Sequence, residues 1–298
     1  MICIATLLLI ASVPARGFEI VDDDGVGHHF SGPATRIISL YPAHSENLAA
    51  LGAEGSLLGI STSDSYPESI RAKPRFSQHD SLEKLIAAAP DCILIRPMIS
   101  RAKPELIDKL RAYGIPVVSL QPTSVDELYQ YWRTLGRISG TEASAEGMIT
   151  SFQTQLRAIA QRPRDLPVSA RPRVYFESIH ARMRTFSPDS ISMFCVEAAG
   201  GVNVAGDAVP RHGTNIADYG KERILAKAHS IDVFLAQTGR MNRITVQEII
   251  DEPGFGAIKA VREGEIYLID EQLVSRPTIR LLDAIRQIQH LLYPKSSS

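Results

Sequence analysis

The chain has 298 residues, with 32 basic and 33 acidic side chains and a formal net charge of −1 at pH 7. A balance so close to zero argues against a broad basic surface, and therefore against nucleic acid as a partner. The length allows one large or two small domains, and the apolar content of 44% is ordinary for a globular protein with a sizeable core.

The first residues differ in composition from the rest. Residues 2–13 are nearly all apolar, and small residues follow up to Ala15. This pattern is typical of a secretory signal peptide and is too short to span a membrane. We therefore expect residues 1–17 to be a signal peptide and the mature protein to be periplasmic. Because Cys3 precedes the apolar run instead of following it, a soluble protein is favoured over a lipoprotein.

Next along the chain, short apolar strands alternate with helical patterns in two blocks, which predicts parallel βαβ units. In the first block the strand-like runs are 37–40, 57–61, 92–95 and 117–120, and the helical patterns are 46–51, 82–89 and 104–113. In the second block the runs are 174–177, 231–236 and 266–269, and the helical patterns are 192–199, 221–228, 246–251 and 278–292. Between the blocks, residues 125–138 and 142–162 have apolar side chains at three- and four-residue spacing.

Residues 39–52, with the sequence SLYPAHSENLAALG, form the most informative segment. A short strand is predicted to run into a loop that holds Pro42, His44 and Glu46, and then into a helix closed by Gly52. In an open α/β sheet, ligands bind at the C-terminal ends of the strands, so these side chains are candidate ligand contacts. The alternative is that Ser45 or Glu46 only caps the helix.

The run RIISLYPAHSENLAALG, preceded by a predicted hairpin over residues 18–30, resembles the opening of the metal-chelate substrate-binding proteins of ABC importers. These proteins take up iron-siderophores, haem and cobalamin. The resemblance implies an α/β fold of the helical-backbone type (class III), with two Rossmann-like lobes, mainly parallel sheets, and a ligand cleft between them. It implies lobes at 18–141 and 166–298, joined by one long rigid helix at 142–165.

The resemblance also implies partners. A monomer would deliver its ligand to an ABC permease dimer in the inner membrane. In this family, one surface glutamate on each lobe docks on the permease. The resemblance of the segments SLEKLIAAAPD at 81–91 and KERILAKA at 221–228 to the docking segments of the family implies this role for Glu83 and Glu222. The physical alternative is that each carboxylate only stabilises its own helix, by interacting with the positive N-terminal end of the helix dipole.

Four histidines fall in the loops expected to line the cleft: His44, His79, His180 and His212. Imidazole is a common metal ligand and can also cap a chelated iron or cobalt axially. We therefore predict all four as ligand contacts and as candidate metal ligands. The alternative for each is an ordinary hydrogen-bonded loop residue.

Arginines share these loops, and the candidates are Arg96, Arg182, Arg184 and Arg276. Guanidinium groups fork onto carboxylates, so they would attract a carboxylate siderophore or the propionates of haem; the alternative is solvated loop charge. Tyr41, at the strand end, is a candidate for stacking on a macrocycle, and a tyrosinate can ligate haem iron. Tyr175 and the single Trp132 are expected in the core.

The resemblance implies a binding protein. The chain also contains no compact H-E-x-x-H motif, serine elbow or phosphate loop, which argues against an enzyme. We expect no catalytic cofactor and a bound iron or cobalt chelate, with an iron-siderophore or haem first and a corrinoid second. Open alternatives are a bare divalent ion, an oxyanion held by arginines and, remotely, a periplasmic metalloenzyme with Glu46 or Asp80 as base. Cys92 and Cys195 are expected to be buried free thiols.

Overall fold

The computed structural model describes residues 17–164, 166–211 and 214–294. All but the last residue of the expected signal peptide lies outside this part of the chain. Within the described residues, no helix combines the length and apolar character needed to cross a membrane.

The described chain opens with a hairpin that is fastened to the first lobe. Strands β1 (Phe18–Val21) and β2 (Gly27–Phe30) pair antiparallel. The buried carboxylate of Asp22 lies 2.8 Å from His28 Nε2 and accepts the Ser119 N–H at 3.1 Å. A carboxylate that satisfies donors on both the turn and the neighbouring lobe fixes the hairpin in place.

The first lobe is built on a five-stranded parallel sheet with the order β5-β4-β3-β6-β7. Its strands are β3 (Ile37–Ser39), β4 (Leu57–Ser61), β5 (Arg75–Phe76), β6 (Cys92–Ile95) and β7 (Val117–Ser119). Its helices are α1 (Pro42–Ala50), α2 (Leu82–Ala87), α3 (Pro97–Ala102), α4 (Pro104–Ala112) and α5 (Val125–Ser139).

A 23-residue helix, α6 (Glu142–Arg164), joins the lobes. It packs on α5 and on two helices of the second lobe, α7 (Ile191–Ala198) and α12 (Leu281–Leu292). Phe152 of α6 lies with its ring centroid 5.2 Å from that of Trp132 on α5, and both side chains are fully buried. The long apolar-periodic helix predicted from the sequence is therefore present.

The second lobe is built on a mixed seven-stranded sheet with the order β11-β12-β9-β8-β13-β14, and β10 pairs with β8. Its strands are β8 (Arg173–Ile179), β9 (Arg184–Phe186), β10 (Val202–Asn203), β11 (Val209–Pro210), β12 (Ile216–Asp218), β13 (Val233–Thr238) and β14 (Ile266–Asp270). Its remaining helices are α8 (Lys221–Ala226), α9 (Val246–Asp251), α10 (Lys259–Glu263) and α11 (Glu271–Val274). Strands β8, β10, β13 and β14 pair in parallel, whereas β9 pairs antiparallel with β8, β12 with β9 and β11 with β12.

The core explains why the lobes are fixed relative to each other. One apolar cluster runs from Ile37 through Trp132 and Phe152 to Phe176 and Ile285, and so crosses from one lobe to the other. The opposite face of each sheet has a cluster of its own. Cys92 and Cys195 are buried free thiols, as expected. The predicted α/β fold of two lobes with mainly parallel sheets and a long connecting helix is confirmed.

One local prediction is wrong. Helix α1 begins at Pro42 rather than near Glu46, with Tyr41 as its N-cap residue. Proline suits the first helical position because its fixed φ is already helical and its missing N–H would be unsatisfied there. His44 and Glu46 therefore lie on a buried helix and not in a loop.

Candidate functional site

A cleft of about 470 Å³ lies between the two lobes. The first lobe contributes residues at and after the C-terminal ends of β3, β4, β5 and β6, and the second lobe contributes residues after β13 and β14. Its lining includes Tyr41, Ser63, His79, Arg96, Met98, Arg240, Met241, Glu271 and Arg276. Strand ends from both sheets thus converge on one space, as the topology of parallel sheets requires.

Three guanidinium groups dominate the charge of the cleft. Arg96 lies over the ring of Tyr41, 4.8 Å from its centroid, and its Nη2 lies 3.5 Å from Met98 Sδ. Arg240 reaches the hydroxyl of Ser63 across the cleft. Within the described part of the chain, neither arginine has a carboxylate within the 4.0 Å that defines an ion pair.

Arg276 is largely buried, with 13% of its side chain exposed. Its Nη1 has no hydrogen-bond partner among the described residues and lies 3.9 Å from Glu46 Oε2, a carboxylate already bound by Arg280. Burial lowers the pKa of Arg276. A buried donor without an acceptor is costly, so an anionic group entering the cleft would be stabilised here.

Tyr41 forms an aromatic platform at the end of β3. It is 6% exposed, and burial raises the pKa of its hydroxyl. The phenol is therefore neutral at ordinary pH, and its ring face supports the Arg96 guanidinium. This geometry favours Tyr41 as a support for Arg96 over Tyr41 as a tyrosinate ligand.

The prediction that His44 contacts the ligand in the cleft or binds a metal is wrong. It is fully buried, with Nδ1 2.7 Å from Tyr131 Oη and Nε2 2.9 Å from the carbonyl oxygen of Ile95. Burial lowers its pKa to about 4. Both ring nitrogens are used inside the core, because the early start of α1 turns this residue away from the cleft.

The two other predicted histidines that the structure describes, His79 and His180, are not brought together. His79 is exposed and lines the cleft. His180 lies in a separate cavity of about 430 Å³ on the second lobe, with Nδ1 2.9 Å from Glu177 and Nε2 3.4 Å from Glu252. His212 lies outside the described residues. No group of three His, Cys, Asp or Glu side chains suited to a metal ion occurs in the described chain.

The remaining predicted residues divide into two groups. Arg96 and Arg276 line the cleft, whereas Arg182 is exposed outside it and Arg184 donates to Asp218 Oδ1 at 2.7 Å. Sheet pairing explains Arg184, because β9 runs beside β12, which carries that aspartate. Neither Arg182 nor Arg184 lines the cleft or the cavity beside His180. Glu83 and Glu222 are exposed in the first turns of α2 and α8.

Sequence reasoning missed the contribution of the loop after β13. Arg240 and Met241 follow this strand directly and line the cleft, and Met241 is 50% exposed. Met98 on the first lobe is 44% exposed and lines the same space. The strand-end rule that selected Arg96 applies equally to β13, and it would have found Arg240 and Met241 had it been applied there.

Comparison with known proteins gives one family and a consistent fold. A family model described as Periplasmic binding protein matches residues 37–273. A vitamin B12-binding protein of Vibrio cholerae serotype O1 is 25% identical over 268 residues, which cover 86% of this chain and 88% of that protein.

Two solved structures share this architecture. The periplasmic heme-binding protein HutB of Vibrio cholerae has a TM-score of 0.73 at 22% identity and covers 87% of this chain and 99% of its own. An ABC-type Fe³⁺-hydroxamate transport system protein from Saccharomonospora viridis has a TM-score of 0.73 at 23% identity, with coverages of 92% and 98%. At these identities the structural likeness establishes the fold.

Proposed function

Because the chain belongs to the periplasmic binding protein family, we propose that it captures an anionic metal chelate between its lobes and delivers it to an ABC permease. Its relatives are substrate-binding transport proteins, and the chain is not an enzyme. A periplasmic location and export by the segment at residues 1–17 are parts of this proposal.

One observation carries the choice of ligand: Arg96, Arg240 and Arg276 approach one cleft from both lobes. Among the described residues, the single carboxylate within 4.0 Å of any of them is Glu46, which lies 3.9 Å from Arg276 and is already bound by Arg280. Carboxylate, catecholate or hydroxamate oxygens would accept hydrogen bonds from these groups. A volume of about 470 Å³ lies within the range of roughly 300–1,000 Å³ for small-molecule sites. An iron-siderophore or haem therefore comes first and a corrinoid second.

The alternative of a bare divalent ion has little support, because the proposed imidazole ligands are not assembled among the described residues. A small oxyanion would suit the arginines but would leave most of the cleft unfilled. Met98, Met241 and the Tyr41 platform favour a ligand with apolar surface as well as charge.

Delivery is proposed to use Glu83 and Glu222, one on each lobe. Both lie in the first turn of a helix and are exposed, which leaves them free to meet positively charged pockets on two permease subunits. The bridging helix and shared core keep the two lobes fixed, so the separation of these two carboxylates would be preset.

The test is a metal analysis of the protein purified from periplasm, followed by absorbance titrations with haemin, ferric siderophores and cyanocobalamin. We expect an anionic chelate to bind and Arg96→Ala to weaken it by about tenfold or more. Arg101→Ala is the matched control, since Arg101 is exposed on helix α3, of which Arg96 is the N-cap residue, and does not line the cleft. Stoichiometric zinc without a chelate, or no binding of any of these ligands, would contradict the proposal.

A further inference from the structure

The loop after β13 forms a wall of the ligand cleft on the second lobe, made of Arg240 and Met241. Arg240 and Met241 are exposed and line the cleft, and Arg240 reaches across it to Ser63. Two exposed side chains on a connecting loop present a fixed surface only if the loop backbone is held. The contacts that hold it therefore decide how the second lobe binds.

Glu271, at the start of α11, holds this loop from the cleft side. Its Oε2 accepts the backbone N–H of Met241 at 2.9 Å. Its carboxyl group packs directly on Gly239, where an added Cβ would fall 2.2 Å from Glu271 Cδ and 2.6 Å from Oε2. Any side chain at position 239 would displace Glu271, so the observed position of the glutamate requires glycine at position 239.

Asn242 holds the loop from the other side. It is 4% exposed, donates to the carbonyl oxygen of Gln237 at 2.8 Å and accepts the backbone N–H of His180 at 2.9 Å. The N–H of Gly239 donates to the carbonyl oxygen of Asn242 at 3.0 Å and closes the turn. The hydrogen bonds of Asn242 are buried, whereas Glu271 lines the cleft and is the loop contact that a ligand can reach.

The charge of Glu271 matters as much as its hydrogen bond. This residue lines both the cleft and an adjoining cavity of about 410 Å³, and Arg240 and Arg276 line the same two spaces. Within the described residues, Glu271 lies within 4.0 Å of neither guanidinium. Its carboxylate therefore lies in the same spaces as the arginines that would bind an anionic ligand. It would repel the anionic groups of a ligand that carries several negative charges.

We propose that Glu271 is a positioning residue that fixes the Arg240–Met241 wall and, through its charge, limits how strongly the cleft binds multiply anionic chelates. This inference rests on the proposed function for its ligand class. Its structural half concerns only the chain itself and can be measured without any ligand.

Three variants separate the two roles. Glu271→Gln keeps an acceptor for the Met241 N–H and removes the charge, whereas Glu271→Ala removes both. Gly239→Ala keeps the glutamate but displaces it. Glu105→Gln, an exposed first-turn carboxylate of α4 that does not line the cleft, is the matched control.

The measurements are amide hydrogen exchange at Met241 by NMR and the affinity for haemin in absorbance titrations. We expect exchange at Met241 to be at least tenfold faster in Glu271→Ala and Gly239→Ala, and nearly unchanged in Glu271→Gln. We expect Glu271→Gln to bind haemin about threefold more tightly than wild type, and Glu271→Ala to bind about tenfold more weakly than Glu271→Gln.

Equal exchange at Met241 in Glu271→Ala and wild type would overturn the positioning role. Altered exchange with equal haemin affinity in wild type, Glu271→Gln and Glu271→Ala would overturn the role in selectivity. If wild type binds neither haemin nor any ferric siderophore, the proposed function fails, and the exchange rates still decide whether Glu271 holds the loop.

Discussion

Glu46 and Arg280, which are 234 residues apart in the chain, form a bidentate ion pair that joins the two lobes. Arg280 Nε lies 2.6 Å from Glu46 Oε1, and Nη2 lies 2.8 Å from Oε2. Beside this pair, Asn47 Nδ2 donates to the carbonyl oxygen of Pro277 at 2.9 Å. The glutamate is 2% exposed, so the pair lies where solvent screening is weak.

Removing one partner of this pair should destabilise the whole protein. Glu46→Ala leaves the partly buried guanidinium of Arg280, whose side chain is 15% exposed, without its carboxylate. We expect a loss of about 3 kcal/mol in the free energy of unfolding. Urea denaturation of wild type and variant measures this loss in the free energy of unfolding. Glu146→Ala is the control, because Glu146 pairs with Arg133 on the exposed surface, where salt bridges contribute little. Equal losses in the two variants would contradict the role of the Glu46–Arg280 pair.

His44 should make stability depend on pH. Its pKa of about 4 lies below the ordinary 6.5, so between these values the unfolded chain binds a proton that the folded chain does not. Stability is therefore lost as pH falls from about 6.5 towards 4, by about 3 kcal/mol at most.

The measurement is the free energy of unfolding of wild type and His44→Gln between about pH 7 and pH 4.5. We expect the variant to have the shallower pH dependence, whatever its stability at pH 7. His229→Gln, which changes an exposed histidine, is the matched control substitution. Parallel curves for wild type and His44→Gln would show that His44 is not the group responsible.

Tyr41 should support binding through its ring and not through its oxygen. The Arg96 guanidinium lies over the ring face, and burial raises the pKa of the hydroxyl. We expect Tyr41→Phe to keep chelate affinity within about twofold and Tyr41→Ala to weaken it by about tenfold. Titrations with the chelate that wild type binds measure both, and Tyr113→Ala, at a residue 66% exposed outside the cleft, is the control. A large loss in Tyr41→Phe would instead favour a tyrosinate ligand.

Transport and binding should separate at Glu83 and Glu222. Reversing either charge, in Glu83→Arg or Glu222→Arg, should reduce chelate uptake by cells and leave the affinity of the purified protein unchanged. Neither residue lines the cleft, and an arginine would repel a positively charged pocket on the permease. Glu105→Arg provides the same charge change on another exposed first turn. Normal uptake in both docking variants would rule out this surface.

The fold was largely predictable because its elements follow local periodicity. The runs at 57–61 and 92–95 appear as β4 and β6 with the same bounds. The antiparallel strands β9, β11 and β12 were not predicted. They are two or three residues long, and their pairing depends on contacts between strands instead of a repeating apolar pattern.

The candidate site was predictable only in part, because the strand-end rule gives position but not orientation. Arg96 and Arg276 line the cleft as predicted, whereas His44 is turned into the core by a helix that begins four residues earlier than expected. His180 also follows a strand end, yet its carboxylate neighbours hold it in another cavity. Glu177 lies only three residues before His180, but Glu252 and the partner of His44, Tyr131, come from distant segments and leave no local pattern.

The single tryptophan of the chain gives the protein an internal optical probe. Trp132 is fully buried between Phe152 of the bridging helix and Tyr129, and it does not line the cleft. Its fluorescence emission therefore reports whether α5 and α6 remain packed together. A fluorescence-detected denaturation curve follows the connection between the lobes, and chelate occupancy can be read independently from the absorbance of the chelate itself.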